Sequence, residues 1–151
     1  MQPLIALVAG GVIARLLGLA GLEALDGWQP ALRAGLALMF VVTGVVHFLP
    51  GWREDLAAMI PPALSRPGLP SPGFLVAATG VLELGGAAGL LIPPVAPYVA
   101  AGLALLMIAM FPANVSAARR GVPLRGRPAT PLPLRTVLQV VFVGAAVAAA
   151  V

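Results

Sequence analysis

Five apolar stretches, each about as long as a bilayer is thick, constrain this chain more than any other feature of its sequence. Crossing the hydrocarbon core as a helix takes roughly 20 apolar residues, and about 17 at the least. Residues 3–22, 31–49, 72–92, 95–115 and 134–151 each meet that requirement. The charge count names the solvent. Only 9% of the residues are charged and 60% are hydrophobic, against roughly 25% charged in ordinary soluble domains. Nine cationic and five acidic side chains cannot cover a water-facing surface, so lipid must surround most of the chain. The expected fold is all-α: one transmembrane domain, a helical bundle with little outside the bilayer.

Proline and glycine mark the breaks. Pro50-Gly51 closes the second stretch, and Pro93-Pro94 separates the third from the fourth. Ser71 is placed to cap the third, with Pro72 in its first turn. Between Gly51 and Ser71, Trp52 suits the membrane interface and Arg53, Glu54 and Asp55 are wet. Pro61-Pro62 prevents one continuous helix there, so a short interfacial helix followed by an extended or re-entrant turn is expected. Residues 117–133 form a basic, proline-rich loop without a hydrophobic face. The N-terminal stretch lacks a basic leader and carries Arg15 inside its apolar run, which reads as a retained helix rather than a secretory signal. There is no visible internal repeat.

The net charge of +4 superficially suggests a nucleic-acid partner. Location argues otherwise. There is no lysine, and five of the nine arginines fall between Arg119 and Arg135, beside an apolar helix. That is the pattern of a cytoplasmic loop or of contact with anionic lipid head groups. With Arg53 and Arg66 on the same side, seven arginines face the cytoplasm, while the loop with Glu23 and Asp26 faces outward beside Arg33. This predicts a cytoplasmic N-terminus and an external C-terminus. The absence of cysteine removes disulfides, thiolate metal sites and dithiol redox chemistry from the chain itself.

Ionisable groups inside spans are costly and usually face the bundle interior. Glu83 lies near the centre of the third stretch and Arg15 past the middle of the first. His47, the single histidine, lies in the last turns of the second, and Asn114 adds an amide at the end of the fourth. Thr79, Gly80, Gly86 and Ala87 share the helical face of Glu83, so that face should meet protein. Gly85 and Gly89 form another small face, which makes the third helix the expected centre of the bundle and offers a route to a homodimer. Thr43 and Gly44 lie one turn before His47, while Met107, Met110 and Phe111 precede Asn114 at helical spacing. Counting roughly 1.5 Å per residue puts Arg15 and Glu83 at a similar depth. One polar cavity opening to the cytoplasm, capped by residues 52–62 and lined by Thr43, Thr79, Met107, Met110 and Phe111, would accommodate Arg15, His47, Glu83 and Asn114. A structural account competes at each residue. Arg15 and Glu83 can simply lock two helices, His47 can bond a backbone carbonyl, and Asn114, after Pro112, can cap a helix end.

The segments GVVHFLPGW (44–52), MIPPAL (59–64), TGVLELGGAAGLLIP (79–93) and MFPANVSAA (110–118), in that order, resemble the DoxX family of bacterial membrane proteins. The closing PLPLRTVLQVVFV is similar to that family's final helix. The resemblance covers about residues 32–143. It implies a four-helix core in the bacterial cytoplasmic membrane, with the first helix as an addition, and an association with redox processes and quinone-dependent chemistry. His47, Glu83 and Asn114 stand at the family's polar motifs; Arg15 lies outside them. Three functions follow as expectations. One is a redox-associated subunit binding a quinone or another lipophilic ligand through His47 or Glu83. Another is a non-catalytic anchor or assembly partner of a membrane oxidoreductase, and the last is a small proton-coupled transporter. No Ser/His/Asp set, metal-ligand cluster or phosphate loop is visible, which argues against independent turnover and against a resident metal.

Overall fold

Prolines and small polar residues set where the helices begin. In the computed structural model, which describes residues 1–151, six α-helices follow one another without a strand. They are α1 (Gln2–Leu19), α2 (Trp28–Val46), α3 (Trp52–Met59), α4 (Pro72–Leu90), α5 (Ala96–Arg120) and α6 (Leu132–Ala150). Ser71 Oγ accepts from the amide of Phe74 at 3.2 Å and caps α4, with Pro72 in its first turn. Glu54 reaches back to the amide of Gly51 and caps α3. Gly121 ends α5 in the left-handed conformation at φ +64°, directly after Arg119 and Arg120, whose charges suit a helix C-terminus. The short helix expected after Trp52 is therefore present, and a single 3₁₀ turn at Pro62–Leu64 interrupts the irregular segment behind it.

All but α3 are long and apolar enough to cross a membrane. Leu16, Val81, Leu105, Val140 and many similar side chains face outward, as a lipid solvent requires. Trp28 and Tyr98, at the starts of α2 and α5, stand highly exposed at one end, where interfacial aromatics belong. The chain is a multi-pass membrane protein. Its boundaries depart from expectation in one important place. The fourth span does not stop at Val115; α5 runs on to Arg120 through Pro112. Proline has no amide to offer the carbonyl of Ile108. One residue away, Gln139 Nε2 of α6 donates to the Met107 carbonyl at 2.8 Å, so the neighbouring helix supports the backbone at this point.

The helices α2, α4, α5 and α6 close a ring: α2 on α4, α4 on α5, α5 on α6, and α6 back on α2. The core lies inside it, built around Leu36, Phe40, Ala87, Leu90, Ala100, Leu103 and Met107. Helix α1 lies outside this ring and packs chiefly along α2. Their contact is close because Gly35 has no side chain: a Cβ there would strike the Leu7 carbonyl and the Gly11 backbone. Among the five long helices the hub is α2, which touches α1, α4 and α6, whereas α4, the centre that the small-residue faces suggested, touches α2 and α5.

The two ends differ in charge. At the end where α1 stops, Arg15 Nη1 pairs with Asp26 Oδ1 at 2.8 Å and its guanidinium lies over Trp28. Arg33 Nε donates to the Ala149 carbonyl at 3.1 Å, capping the end of α6. At the opposite end, Arg120 binds the carbonyls of Ala58, Met59 and Ile60 at 2.6, 3.1 and 3.1 Å, closing the C-terminus of α3. Asp55 Oδ2 accepts from the Arg125 amide at 2.8 Å, and the Arg125 side chain lies over Trp52. The two long loops are tied together across this arginine-rich end, with α3 packed on α4 and α5.

Candidate functional site

Two glycines bring the polar groups of α2 and α4 together. A Cβ at Gly80 would lie 2.6 Å from His47 Cβ, and one at Gly44 would lie 3.3 Å from Glu83 Cβ and 2.8 Å from Leu84 Cγ. Without those carbons the helices approach closely enough for their side chains to bond. Thr43 Oγ1 donates to Glu83 Oε2 at 2.6 Å. His47 Nδ1 lies 2.8 Å from the Thr43 carbonyl and 4.0 Å from Glu83 Oε2. His47 and Glu83 are both buried, at 5% and 3% exposure, and are the buried polar side chains of the bundle.

The proton positions follow from what each atom can do. A carbonyl only accepts, so His47 Nδ1 carries a hydrogen, and in the neutral ring Nε2 is left with its lone pair. Thr43 has one hydroxyl proton and a second acceptor within reach, the Met39 carbonyl at 3.1 Å. When that proton goes to the backbone, the hydroxyl can accept from a protonated Glu83. The seam therefore accommodates either charge state of the acid. Neither Glu83 Oε1 nor His47 Nε2 bonds to protein, and neither is sealed off from the surrounding space. Two hydrogen-bonding atoms are left for something else.

The remaining expected site residues are elsewhere. Arg15 does not reach Glu83. It lies four residues from the end of α1, on a helix packed chiefly on α2, and its long side chain runs out to Asp26 instead. Asn114 does not cap a helix end, because α5 continues beyond it; its Oδ1 accepts from Arg135 Nη1 at 2.8 Å on the α5–α6 seam. Thr79 bonds only its own helix, at the Leu75 carbonyl. Met107 is buried in the core, with Met110 and Phe111 half-buried near it on α5. The single polar cavity expected for all four groups is absent: His47 and Glu83 meet on the α2–α4 seam, Asn114 joins a second cluster on the α5–α6 seam, and Arg15 is in neither. The second includes Arg135 and Gln139, which sequence reasoning left among the loop charges and the apolar run. Their signal was present: two polar residues four apart on a largely apolar final span share one helical face.

The Gly85/Gly89 face is also divided. A Cβ at Gly89 would lie 2.8 Å from Val99 on α5, so Gly89 serves packing within the chain, while Gly85 faces open space. Gly85 instead helps line a groove of about 300 Å³ between α4 and α5, with Leu82, Gly86, Val99, Gly102 and Leu103. No three His, Asp or Glu side chains converge.

Residues 36–150 match a family described as Domain of unknown function (DUF8561). The chain belongs to this family. The match begins within α2 and takes in the whole four-helix ring from there, including both polar clusters, and it leaves α1 outside. No curated protein and no solved structure matches the chain.

Proposed function

We propose that this chain is a DoxX-like membrane subunit, resident in the bacterial cytoplasmic membrane with its arginine-rich end inside, that binds a quinone or a similar lipophilic molecule at the Thr43–His47–Glu83 seam. The observation that supports this most is the pair of accessible atoms without a protein partner, Glu83 Oε1 and His47 Nε2, on side chains otherwise enclosed by the bundle. A quinol hydroxyl needs an acceptor and a quinone carbonyl needs a donor. Neutral imidazole and carboxylate supply the first; imidazolium and carboxylic acid supply the second. Thr43 keeps Glu83 oriented in either state, so a proton can pass to or from the ligand without rearrangement of the seam. The chain has no cysteine and no ligand cluster for a metal, so electrons would come from a partner oxidoreductase.

Orientation rests on charge. Seven arginines and two acids, Glu54 and Asp55, occupy the end with α3, whereas Arg15 and Arg33 share the other end with Glu23 and Asp26. Positive charge is retained on the cytoplasmic side, which puts the N-terminus inside and the C-terminus outside.

Titrating the purified protein in nanodiscs with a short-chain quinone analogue tests the site. Saturable binding that is lost in His47→Ala and weakened in Glu83→Gln is expected. Equal binding by the wild type and both variants would refute a ligand site at this seam.

A further inference from the structure

The second polar cluster contains a cation without an anion. Arg135 sits in the first turn of α6, half-buried against α5. Its Nη1 donates to Asn114 Oδ1 at 2.8 Å and its Nε to the Thr130 carbonyl at 3.0 Å. Both partners are neutral. The ion pairs within the chain are Arg15 with Asp26 and His47 with Glu83, and neither involves Arg135. The two acids at this end are also engaged elsewhere, Glu54 with the Gly51 amide and Asp55 with the Arg125 amide. A guanidinium presents five N–H donors and stays charged in any protein setting. Two of them are used here, and the Nη2 edge bonds to nothing in the protein.

Snorkelling to water is the usual solution for an arginine near a membrane surface. Arg135 does not take it. Asn114 and Thr130 hold the side chain against the helix seam through Nη1 and Nε and leave Nη2 free. Held in that way, the guanidinium keeps both Nη2 hydrogens and one on Nη1 to donate to an oxyanion. The position adds to the match: the first turn of α6 contributes its positive dipole end, at the arginine-rich end of the chain.

We propose that Arg135, fixed by Asn114 and Thr130, is a binding site for a phosphate oxyanion at the arginine-rich end of the α5–α6 seam. A membrane offers that group as the head of an anionic lipid, and the cytoplasm offers it as free phosphate. Half-buried in the first turn of a helix apolar enough to cross the membrane, the site is placed for the lipid form.

Native mass spectrometry of the purified protein, titrated with phosphatidylglycerol and with a diacylglycerol of the same chains, reads the site. The wild type should retain the phosphatidylglycerol and release the diacylglycerol. Arg135→Gln should lower retention about tenfold, the scale of a lost charge-assisted bond. Asn114→Asp is the sharper variant. It keeps the shape of the side chain but gives Arg135 a carboxylate of its own, so it should lose the lipid equally while its thermal midpoint holds or rises. Arg66→Gln, an exposed arginine on the other loop, should retain the lipid as the wild type does. Inorganic phosphate that displaces the lipid and binds alone would assign the site to soluble phosphate; lipid that resists it would assign the site to the head group. Phosphatidylglycerol retained undiminished by both Arg135→Gln and Asn114→Asp would overturn the proposal.

Discussion

A single methyl group at Gly80 should separate the two helices that build the candidate site. The carbon added by Gly80→Ala would lie 2.6 Å from His47 Cβ and 2.8 Å from Phe48 Cε2, whereas carbons rest at about 3.5–4.0 Å. The Phe48 ring can turn aside, but His47 Cβ is fixed to the backbone and cannot. Relief therefore requires α2 and α4 to move apart by about 1 Å. The Thr43–Glu83 bond, 2.6 Å long, would then approach the limit of a useful hydrogen bond, about 3.5 Å between heavy atoms. Overpacking of this kind costs about 1–3 kcal/mol and weakening the bond adds about 1 kcal/mol. Replacing glycine by alanine within a helix returns about 0.5–1 kcal/mol. The expected balance is a loss of about 1–3 kcal/mol. Gly85→Ala, on the same helix, meets nothing within 4 Å and should gain up to about 1 kcal/mol. Reversible unfolding in mixed micelles, followed by circular dichroism, measures both. Equal stability changes in the two variants would refute the close α2–α4 approach.

Thr43→Val keeps the shape of the side chain but leaves Glu83 Oε2 without its donor, and should cost about 1–3 kcal/mol in the same assay; a neutral result would mean that the hydroxyl does not serve Glu83. Arg120→Ala removes the guanidinium that holds three carbonyls at the end of α3. Amide exchange across residues 52–60 should accelerate well before the spans exchange, and unchanged protection there would contradict the clamp. Arg15→Gln breaks an ion pair whose acid is 65% exposed, so it should cost less than about 1 kcal/mol and leave quinone-analogue binding intact. Impaired binding in that variant would mean that Arg15 reaches the site after all.

The membrane class and the five spans were legible because a run of about 20 apolar residues has few other uses. His47 and Glu83 were legible for the complementary reason, that burying such groups in lipid is costly enough to demand an explanation. What sequence spacing could not supply was lateral position. Counting residues from a helix start gives depth, and Arg15 and Glu83 came out level. Depth says nothing about which helices are neighbours, and α1 packs on the outside of α2 while Glu83 faces inward from α4. Side-chain reach compounded the error, because a side chain as long as that of Arg15 can leave the level of its own Cα. Asn114 was misplaced by Pro112, which reads as a helix end but lies inside α5, where Gln139 supports the backbone beside it. Arg135 was hidden by its company: it follows a basic, proline-rich loop and is counted naturally with those charges. Only the packing of α6 on α5 separates it from them. The small residues of α4 were readable as a packing surface, but not which partner each one faced. Gly80 meets α2, Gly86 and Gly89 meet α5, and Gly85 meets nothing.

The most direct test of the proposed ligand site is native mass spectrometry of the protein extracted gently from its own membrane, compared with Glu83→Gln. Glutamine preserves the size of the side chain but cannot exchange a proton as the acid does. The expected result is a lipophilic molecule that travels with the wild type, is identified by its mass, and is lost or sharply reduced in the variant. A wild type that carries no such molecule, or a variant that carries it equally, would contradict the site and leave Thr43, His47 and Glu83 as a polar lock between α2 and α4.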